Sequence, residues 1–234
     1  LRVTGLAISN KGGNIVAAKP TYLALMSYAE AWGGKIKWVP VDSDMGYDLK
    51  KIKENIDKNT KMVFVANPNN PTGTLLDKNS LSSFCEDTTD ETLVFCDEAY
   101  YDYINESDYP SMDYLVRENK NIIISRTFSK VYGLAGLRIG YLVLKPELAD
   151  QLYGDYSPYG RPKIPAQTNV LAVAAATEAL KDNDFYEFSL RKANEEKEKI
   201  YKVLDYLNLN MVLKLNQKPH RLQHHLFMMI KLYI

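Results

Sequence analysis

Short apolar runs that are rich in β-branched residues alternate with amphipathic stretches as far as about residue 146 of this 234-residue chain. This alternation is typical of repeated βα units, so the sequence predicts an α/β fold with a mostly parallel sheet that is flanked by helices. The predicted strands are Asn14–Ala17, Lys35–Val41, Lys61–Ala66, Thr92–Cys96, Asn121–Ser125 and Ile139–Leu144. The predicted helices among them are Tyr22–Trp32, Leu49–Ile56 with Asp48 as its N-cap, and about Asn79–Glu86.

The character of the sequence changes after residue 146, where strand signals fade and helical signals lengthen. We expect helices at Pro146–Tyr153 and Ala166–Leu180, and then a highly charged, solvated helix over about Asp184–Tyr206 that leaves the sheet domain. We therefore divide the chain into a large domain over residues 1–183, a linking helix over 184–206 and a partial or aberrant small-domain segment over 207–234.

The last segment differs in composition from what precedes it, because no Asp or Glu occurs from Tyr206 to Ile234. Two explanations remain open: a second, smaller domain begins near residue 207, or the reading frame departs there from that of the original protein. The three histidines of the chain, His220, His224 and His225, all lie in this segment. No carboxylate or cysteine accompanies them, so we expect no metal site.

Composition narrows the possible partners. Lys plus Arg (29) balances Asp plus Glu (29), so nothing indicates nucleic acid or an anionic membrane surface. The longest apolar runs, such as Ile122–Ile124 and Leu171–Ala176, are far shorter than a membrane-spanning helix, and the N-terminus lacks the pattern of a signal peptide. We therefore expect a cytoplasmic protein. Cys85 and Cys96 lack CxxC spacing and are expected to fill the core.

The first segment with chemical character is a turn that directly follows the predicted strand Lys61–Ala66. It reads Asn-Pro-Asn-Asn-Pro-Thr-Gly over residues 67–73, and its two X-Pro steps and glycine predict a stiff, extended turn. Ligands bind at the carboxyl edge of an open α/β sheet, so an Asn there could direct its amide at a bound ring. An ordinary Asn/Pro turn remains the alternative.

A carboxylate follows the next apolar strand, in Phe95-Cys96-Asp97-Glu98-Ala99-Tyr100. A carboxylate that ends a buried strand needs a cationic partner or several hydrogen bonds. A pyridinium nitrogen is such a partner, and Tyr100 could donate a hydrogen bond to a ring hydroxyl oxygen. The alternative is that Asp97 caps the following helix.

The third segment runs from Ser125 to Gly140, and its loop contains several glycines. The side chains of interest on this loop are the hydroxyls of Thr127 and Ser129, Lys130 and Arg138. Hydroxyls and a guanidinium that converge on one point form a phosphate site, and Arg138 could supply paired charge-assisted bonds. Lys130 could act as an amine nucleophile. A basic surface loop is the alternative, although solvated loops seldom combine three glycines with so many apolar residues.

These three segments, in this order and each after a predicted strand, resemble the fold type I aminotransferases that depend on pyridoxal 5′-phosphate (PLP), and most closely the histidinol-phosphate aminotransferase group of class I/II. The similarity covers about residues 13–205. It implies that residues 1–183 form a PLP-binding large domain, that the enzyme is a homodimer, and that its substrates are small molecules, namely an amino acid and an oxo acid.

The resemblance also implies a role for each candidate residue. Lys130 would carry PLP as a Schiff base and act as the general base, and Asp97 would pair with the pyridine nitrogen. The remaining cofactor contacts would be Asn70 and Tyr100 at the 3′-oxygen, Tyr22 stacked on the ring, and Thr127, Ser129 and Arg138 at the phosphate.

Two functional parts of the family have no counterpart in this sequence. The chain begins where the helix before Gly13 should be ending, so we expect it to lack the N-terminal arm and the small-residue loop that offers N–H groups to the phosphate. Arg221 lies in a context unlike that of the family's carboxylate-binding arginine. The prediction is thus an aminotransferase, with a PLP-dependent decarboxylase of an amino-acid phosphate, or a fragment without catalysis, as the alternatives.

Overall fold

The structure is a computed structural model that describes residues 1–154 and 168–206. Six strands form one sheet in the order β2-β1-β3-β4-β5-β6. The strands are β1 (Asn14–Lys19), β2 (Lys35–Pro40), β3 (Thr60–Ala66), β4 (Leu93–Asp97), β5 (Ile122–Thr127) and β6 (Gly140–Val143). Strands β1 to β5 pair in parallel, whereas β6 pairs antiparallel to β5. The predicted α/β fold with a mostly parallel sheet is confirmed.

Helices cover both faces of this sheet. They are α1 (Arg2–Asn10), α2 (Ala24–Ala31), α3 (Leu49–Glu54), α4 (Lys78–Thr88), α5 (Tyr114–Arg117), α6 (Pro146–Gly154), α7 (Val170–Ala179) and α8 (Asn183–Tyr206). Asp48 is the N-cap of α3, as predicted, and its carboxylate accepts a hydrogen bond of 3.0 Å from the N–H of Lys51. Among the described residues, none of the helices has the length and apolar character needed to cross a membrane.

Both faces of the central strands are buried, which explains why their sequences are almost continuously apolar. Successive side chains of a strand point to opposite faces, and in β3 Val63 and Val65 enter one core while Met62 and Phe64 enter the other. The first core is completed by Ile52 of α3, Leu81 of α4 and Leu115 of α5. The second is completed by Ala7 of α1, Leu25 of α2 and Leu148 of α6.

The observed boundaries differ from the predicted ones mainly where a strand continues into polar residues. Strand β5 extends through Arg126 to Thr127, because these residues pair with Tyr141 and Gly140 of β6. The short helix α5 has no predicted counterpart. The tail from residue 207 onward, with its histidines, lies outside the described residues, and the division into domains remains a prediction.

Candidate functional site

The carboxyl ends of β3, β4 and β5 lie side by side at one edge of the sheet. Ala66 pairs with Asp97, and Asp97 pairs with Ser125. The N–H of Asn67 donates to the carbonyl oxygen of Asp97 at 3.0 Å, which extends the pairing one residue beyond β3. The three segments that carry chemical character in the sequence therefore begin next to one another.

Asp97 is the most buried of the predicted site residues, with 7% of its surface exposed. Its Oδ1 accepts hydrogen bonds from the hydroxyl of Ser125 at 2.7 Å and from the N–H of Ala99 at 3.1 Å. Burial raises the pKa of Asp97 above its usual value, and these two bonds and then the charges of the Leu1 amino group and Lys130 oppose that rise. No described residue donates a hydrogen bond to Oδ2, so one oxygen of this carboxylate remains available to a further donor.

Lys130 lies on the loop that follows β5. Its Nζ is 4.7 Å from the centre of the Tyr100 ring, which is a cation–π distance, and Tyr100 is itself buried. Lys130 forms no ion pair with any other residue in the part of the chain that the structure describes. The loop turns back at Gly133, whose φ of +69° favours glycine.

The three residues predicted to bind a phosphate lie at the two ends of this loop, which meet where Thr127 pairs with Gly140. The Oγ1 of Thr127 accepts a hydrogen bond of 3.1 Å from the N–H of Ser129. Arg138 has left-handed backbone angles (φ 54°, ψ 48°), and its Nη1 donates to the carbonyl oxygen of Ala135 at 2.8 Å. The guanidinium is exposed, and its other N–H groups make no hydrogen bond with the described residues.

The three asparagines of the turn after β3 differ in the hydrogen bonds that their side chains make. The amide of Asn67 bonds the hydroxyl of Tyr109 (2.7 Å) and the N–H of Leu76 (2.9 Å), so it stabilises the turn itself. Asn69 is buried in a hydrogen-bond network that also includes Thr21. Asn70 is half-buried and makes no side-chain hydrogen bond with the described residues, so its amide is free for a ligand.

Tyr22 is 39% exposed, and its side chain makes no hydrogen bond with the described residues. It is brought near the turn by its neighbour Thr21, whose hydroxyl donates to the Oδ1 of Asn69 at 2.9 Å. Among the eight predicted residues, Lys130 with Tyr100 and Thr127 with Ser129 are the pairs in direct contact. The positive charge of Lys130 lowers the pKa of Asp97. The side chains of Arg138, Asn70 and Tyr22 make no direct contact with the other predicted residues, and the backbone of their loops determines where they lie.

A buried ion pair at this edge was not predicted from the sequence. The Nη2 of Arg126 is 2.6 Å from the Oε2 of Glu98, and its guanidinium carbon lies 4.1 Å from the centre of the Tyr101 ring. Glu98 also accepts bonds from the N–H of Met112 and the hydroxyl of Ser111, both at 2.8 Å. A signal was present, since Glu98 follows Asp97 and Arg126 follows Ser125.

The start of α8 contacts the lysine loop, which was also not predicted. The ring of Tyr186 lies 5.6 Å from that of Tyr132, and its hydroxyl donates to the carboxylate of Asp102 at 3.2 Å. The ring of Tyr132 in turn lies 5.1 Å from that of Phe128. Residues on both sides of Lys130 therefore pack, directly or through a neighbour, against the helix that was predicted to link two domains.

The donor set at this edge suits a planar, anionic heteroaromatic ligand. A carboxylate with one free oxygen would bind a protonated ring nitrogen. The free amide of Asn70 and the exposed guanidinium of Arg138 offer donors to oxygen atoms, and Lys130, on the same loop as Arg138, carries a primary amine. These groups resemble those needed to bind an aldehyde cofactor that also carries a phosphate.

The family model described as aminotransferase class I and II matches residues 2–230. The chain is 37% identical over 201 residues to histidinol-phosphate aminotransferase of Bacillus cytotoxicus, which covers 86% of this chain and 52% of that protein. It is 44% identical over 163 residues to histidinol-phosphate aminotransferase 1 of Nitrosococcus oceani, which covers 70% and 42%. The chain thus spans about half the length of the curated relatives it matches.

Solved structures share the fold. Histidinol-phosphate aminotransferase from Sinorhizobium meliloti, in complex with pyridoxal-5′-phosphate, matches with a TM-score of 0.74 and 27% identity over 86% of this chain and 54% of that one. L-threonine-O-3-phosphate decarboxylase from Porphyromonas gingivalis matches with a TM-score of 0.69 and 22% identity over 87% and 57%. At that identity the second match shows the fold alone.

Proposed function

The chain belongs to the aminotransferase class I and II family, and on this premise we propose that it is the large-domain part of a PLP-dependent aminotransferase. The reaction moves an amino group between an amino acid, or an amino-acid-derived phosphate such as histidinol phosphate, and an oxo acid. The observation that carries the proposal is that two groups lie at the same sheet edge. Asp97 is a buried carboxylate with a free oxygen, and Lys130 is an amine without an ion-pair partner in the described residues.

The residues at this edge fit PLP. Lys130 would bind the aldehyde carbon, Asp97 the pyridine nitrogen, and Tyr22 the face of the ring. Asn70 and Tyr100 would donate to the ring oxygen, while Thr127, Ser129 and Arg138 would bind the phosphate. When bound, PLP supplies an electron sink for the bonding electrons of the substrate Cα.

The chain's own residues then control protons. With PLP bound, the Nζ of Lys130 would act as the general base that holds the proton leaving the substrate Cα. The carboxylate of Asp97 would keep a proton on the ring nitrogen, and this electrostatic effect would be stronger because Asp97 is buried. The ring of Tyr100, under the Lys130 amine, restricts where that amine can lie.

The proposal includes the setting of the enzyme. A donor amino acid and an oxo acid are the small-molecule partners, and the protein acts in the cytoplasm as a homodimer. The balanced charge of the chain supports partners other than nucleic acid or anionic membrane. Light scattering after size exclusion tests the dimer, and a monomer mass at micromolar concentration would contradict it.

The direct test of the cofactor claim is covalent labelling. The purified chain is mixed with PLP, its absorption spectrum is recorded, and it is reduced with borohydride and digested with trypsin. Trypsin does not cut after a modified lysine, so the label should appear on a peptide over residues 127–138. Lys130→Ala should abolish this label, whereas Lys50→Ala, which removes an exposed surface amine, should leave it unchanged. Absence of the residue 127–138 label from the unsubstituted chain would refute cofactor binding.

The type of reaction needs a separate measurement, because a decarboxylase would use the same anchors for the cofactor. Incubation of the loaded protein with histidinol phosphate and an oxo acid should yield the new amino acid without carbon dioxide. Release of carbon dioxide from an amino-acid phosphate would instead favour the decarboxylase.

A further inference from the structure

Tyr47 is a buried tyrosine that belongs to none of the motifs recognised in the sequence. It lies on the loop between β2 and α3, and 5% of its surface is exposed. Its hydroxyl accepts a hydrogen bond of 3.1 Å from the N–H of Ala66, the last residue of β3. A loop from the edge of the sheet is therefore tied to the strand end from which the asparagine turn begins.

The same hydroxyl takes part in a closed triangle. The Oη of Tyr47 is 2.5 Å from the Oγ1 of Thr21 and 3.1 Å from the Oδ1 of Asn69, and the Oγ1 of Thr21 is 2.9 Å from that Oδ1. Burial raises the pKa of Tyr47 well above its ordinary value, so the phenol keeps its proton. The two hydroxyl groups have one proton each for the three contacts. One hydroxyl therefore donates to the other, and the second donates to the Oδ1 of Asn69; Tyr47 and Thr21 can take either role.

Asn69 extends the triangle to its own surroundings. Its Nδ2 donates to the carbonyl oxygen of Pro20 at 3.1 Å and to the hydroxyl of Thr72 at 2.8 Å. The hydroxyl of Thr72 meets that of Thr74 at 2.8 Å. Every polar atom of the Asn69 side chain is thus used inside the protein, which leaves none of them for a ligand.

The chain neighbours of this network are two of the residues proposed to contact the cofactor ring, and neither lies on the lysine loop. Tyr22 follows Thr21, and Asn70 follows Asn69. Neither Tyr22 nor Asn70 makes a side-chain hydrogen bond with the described residues, so their positions depend on the backbone to which they are attached. That backbone is anchored by the network around Tyr47.

We propose that Tyr47, Thr21 and Asn69 form a buried clamp that positions Tyr22 and Asn70 against the cofactor, which makes Tyr47 a positioning residue. The inference rests on the proposed function for its cofactor but not for the clamp itself. A conventional structural tyrosine would stabilise the fold as a whole. A positioning tyrosine must in addition act locally on the turn and on cofactor affinity.

The first test needs no cofactor. Tyr47→Phe removes the hydroxyl and retains the ring, and amide hydrogen exchange is then followed by mass spectrometry. Loss of one net hydrogen bond of about 1.4 kcal/mol corresponds to about tenfold faster exchange in peptides that cover residues 66–74. The control is Thr92→Val, which removes another buried hydroxyl, bonded to the carbonyl oxygen of Thr60 at the opposite edge of the sheet. Thr92→Val should leave exchange in residues 66–74 unchanged.

The second test measures cofactor affinity. Tyr47→Phe should raise the dissociation constant for PLP about tenfold at a temperature where it and Thr92→Val are both fully folded, while Thr92→Val binds as the unsubstituted chain does. If Tyr47→Phe does not fold, Thr21→Val takes its place, with Thr21→Ser as the rescue that keeps the hydroxyl. Unchanged exchange in residues 66–74, or equal effects of the test and control variants, would overturn the clamp. Failure of the unsubstituted chain to bind PLP would refute the proposed function, and the exchange result would still decide the clamp.

Discussion

Removing the hydroxyl of Ser125 should destabilise the cofactor-free protein by an amount that depends on pH. The Oγ of Ser125 donates to the Oδ1 of Asp97 at 2.7 Å, and both side chains are buried. A hydrogen bond to a charged group contributes about 1.5–3 kcal/mol, whereas one to a neutral group contributes about 0.5–1.5 kcal/mol. Ser125→Ala should therefore cost about 2 kcal/mol when Asp97 is ionised and about 1 kcal/mol when it is protonated.

The sign follows from the pKa of Asp97. Burial raises that pKa in the folded protein above the value of 3.8 that applies in the unfolded chain. The carboxyl group therefore contributes stability that is complete below pH 3.8 and is lost as pH rises through the folded pKa. The hydrogen bond from Ser125 lowers the pKa of Asp97. Its removal therefore raises that pKa further, and the folded protein loses more stability at pH values above the pKa.

The assay is urea denaturation at intervals from about pH 4.5 to 8.5, without added PLP. In a parallel thermal unfolding experiment, a loss of about 2 kcal/mol in the free energy of unfolding corresponds to a fall of about 4–8 °C in Tm for a chain of this size. Ser9→Ala is the matched control, because the Oγ of Ser9 lies 2.8 Å and 2.9 Å from the carbonyl oxygens of Gly5 and Ala29, which do not titrate. If the loss of unfolding free energy caused by Ser125→Ala does not change with pH, as expected for Ser9→Ala, the reasoning is refuted.

Three further predictions concern other parts of the site. Gly140→Ala should cost about 1–3 kcal/mol in urea denaturation, because a Cβ there would lie 2.7 Å from the carbonyl oxygen of Arg126, whereas Gly136→Ala, with no atom within 4 Å, should change stability little. Arg126→Met should cost about 3–5 kcal/mol at neutral pH, since it leaves the buried carboxylate of Glu98 without its cation, and a cost below about 1 kcal/mol would show that the pair is not needed. Asn70→Ala should weaken PLP binding in a spectroscopic titration yet change the free energy of unfolding by less than about 0.5 kcal/mol.

The positions of the candidate residues could be predicted because each follows an abrupt change in the sequence. An apolar run that is buried on both faces ends at Ala66, Cys96 or Ile124, and the polar residue after it must lie at the edge of the sheet. The order of the strands and the antiparallel direction of β6 were not predicted. Both depend on which strands pair across the sheet, and the apolar runs do not encode that choice.

The clamp around Tyr47 shows why other parts of the site escape sequence reasoning. Tyr47 is 26 residues from Thr21 and 22 from Asn69, and nothing in its local sequence distinguishes it from the other tyrosines of the chain. Its role arises only when three loops meet at one edge of the sheet. Asn69 is a different case, because the sequence motif that contains it was recognised. The sequence did not show that the Asn69 amide is hydrogen-bonded inside the protein while the Asn70 amide stays free, because that depends on which amide finds internal partners.

The adjacent carboxylates Asp97 and Glu98 show how the same logic separates a structural group from a functional one. Each is buried, and burial raises the pKa of both. Glu98 is neutralised inside the protein by Arg126, and it accepts two further hydrogen bonds, so its charge is compensated without any ligand. Asp97 receives two neutral donors on one oxygen, and the charges that act on it, those of the Leu1 amino group and of Lys130, form no ion pair with it in the described residues. A buried carboxylate in that state is stabilised by the arrival of a cation, and a protonated ring nitrogen is such a cation. The difference in internal compensation, and not the motif alone, therefore supports the proposal that Asp97 binds the cofactor while Glu98 stabilises the scaffold.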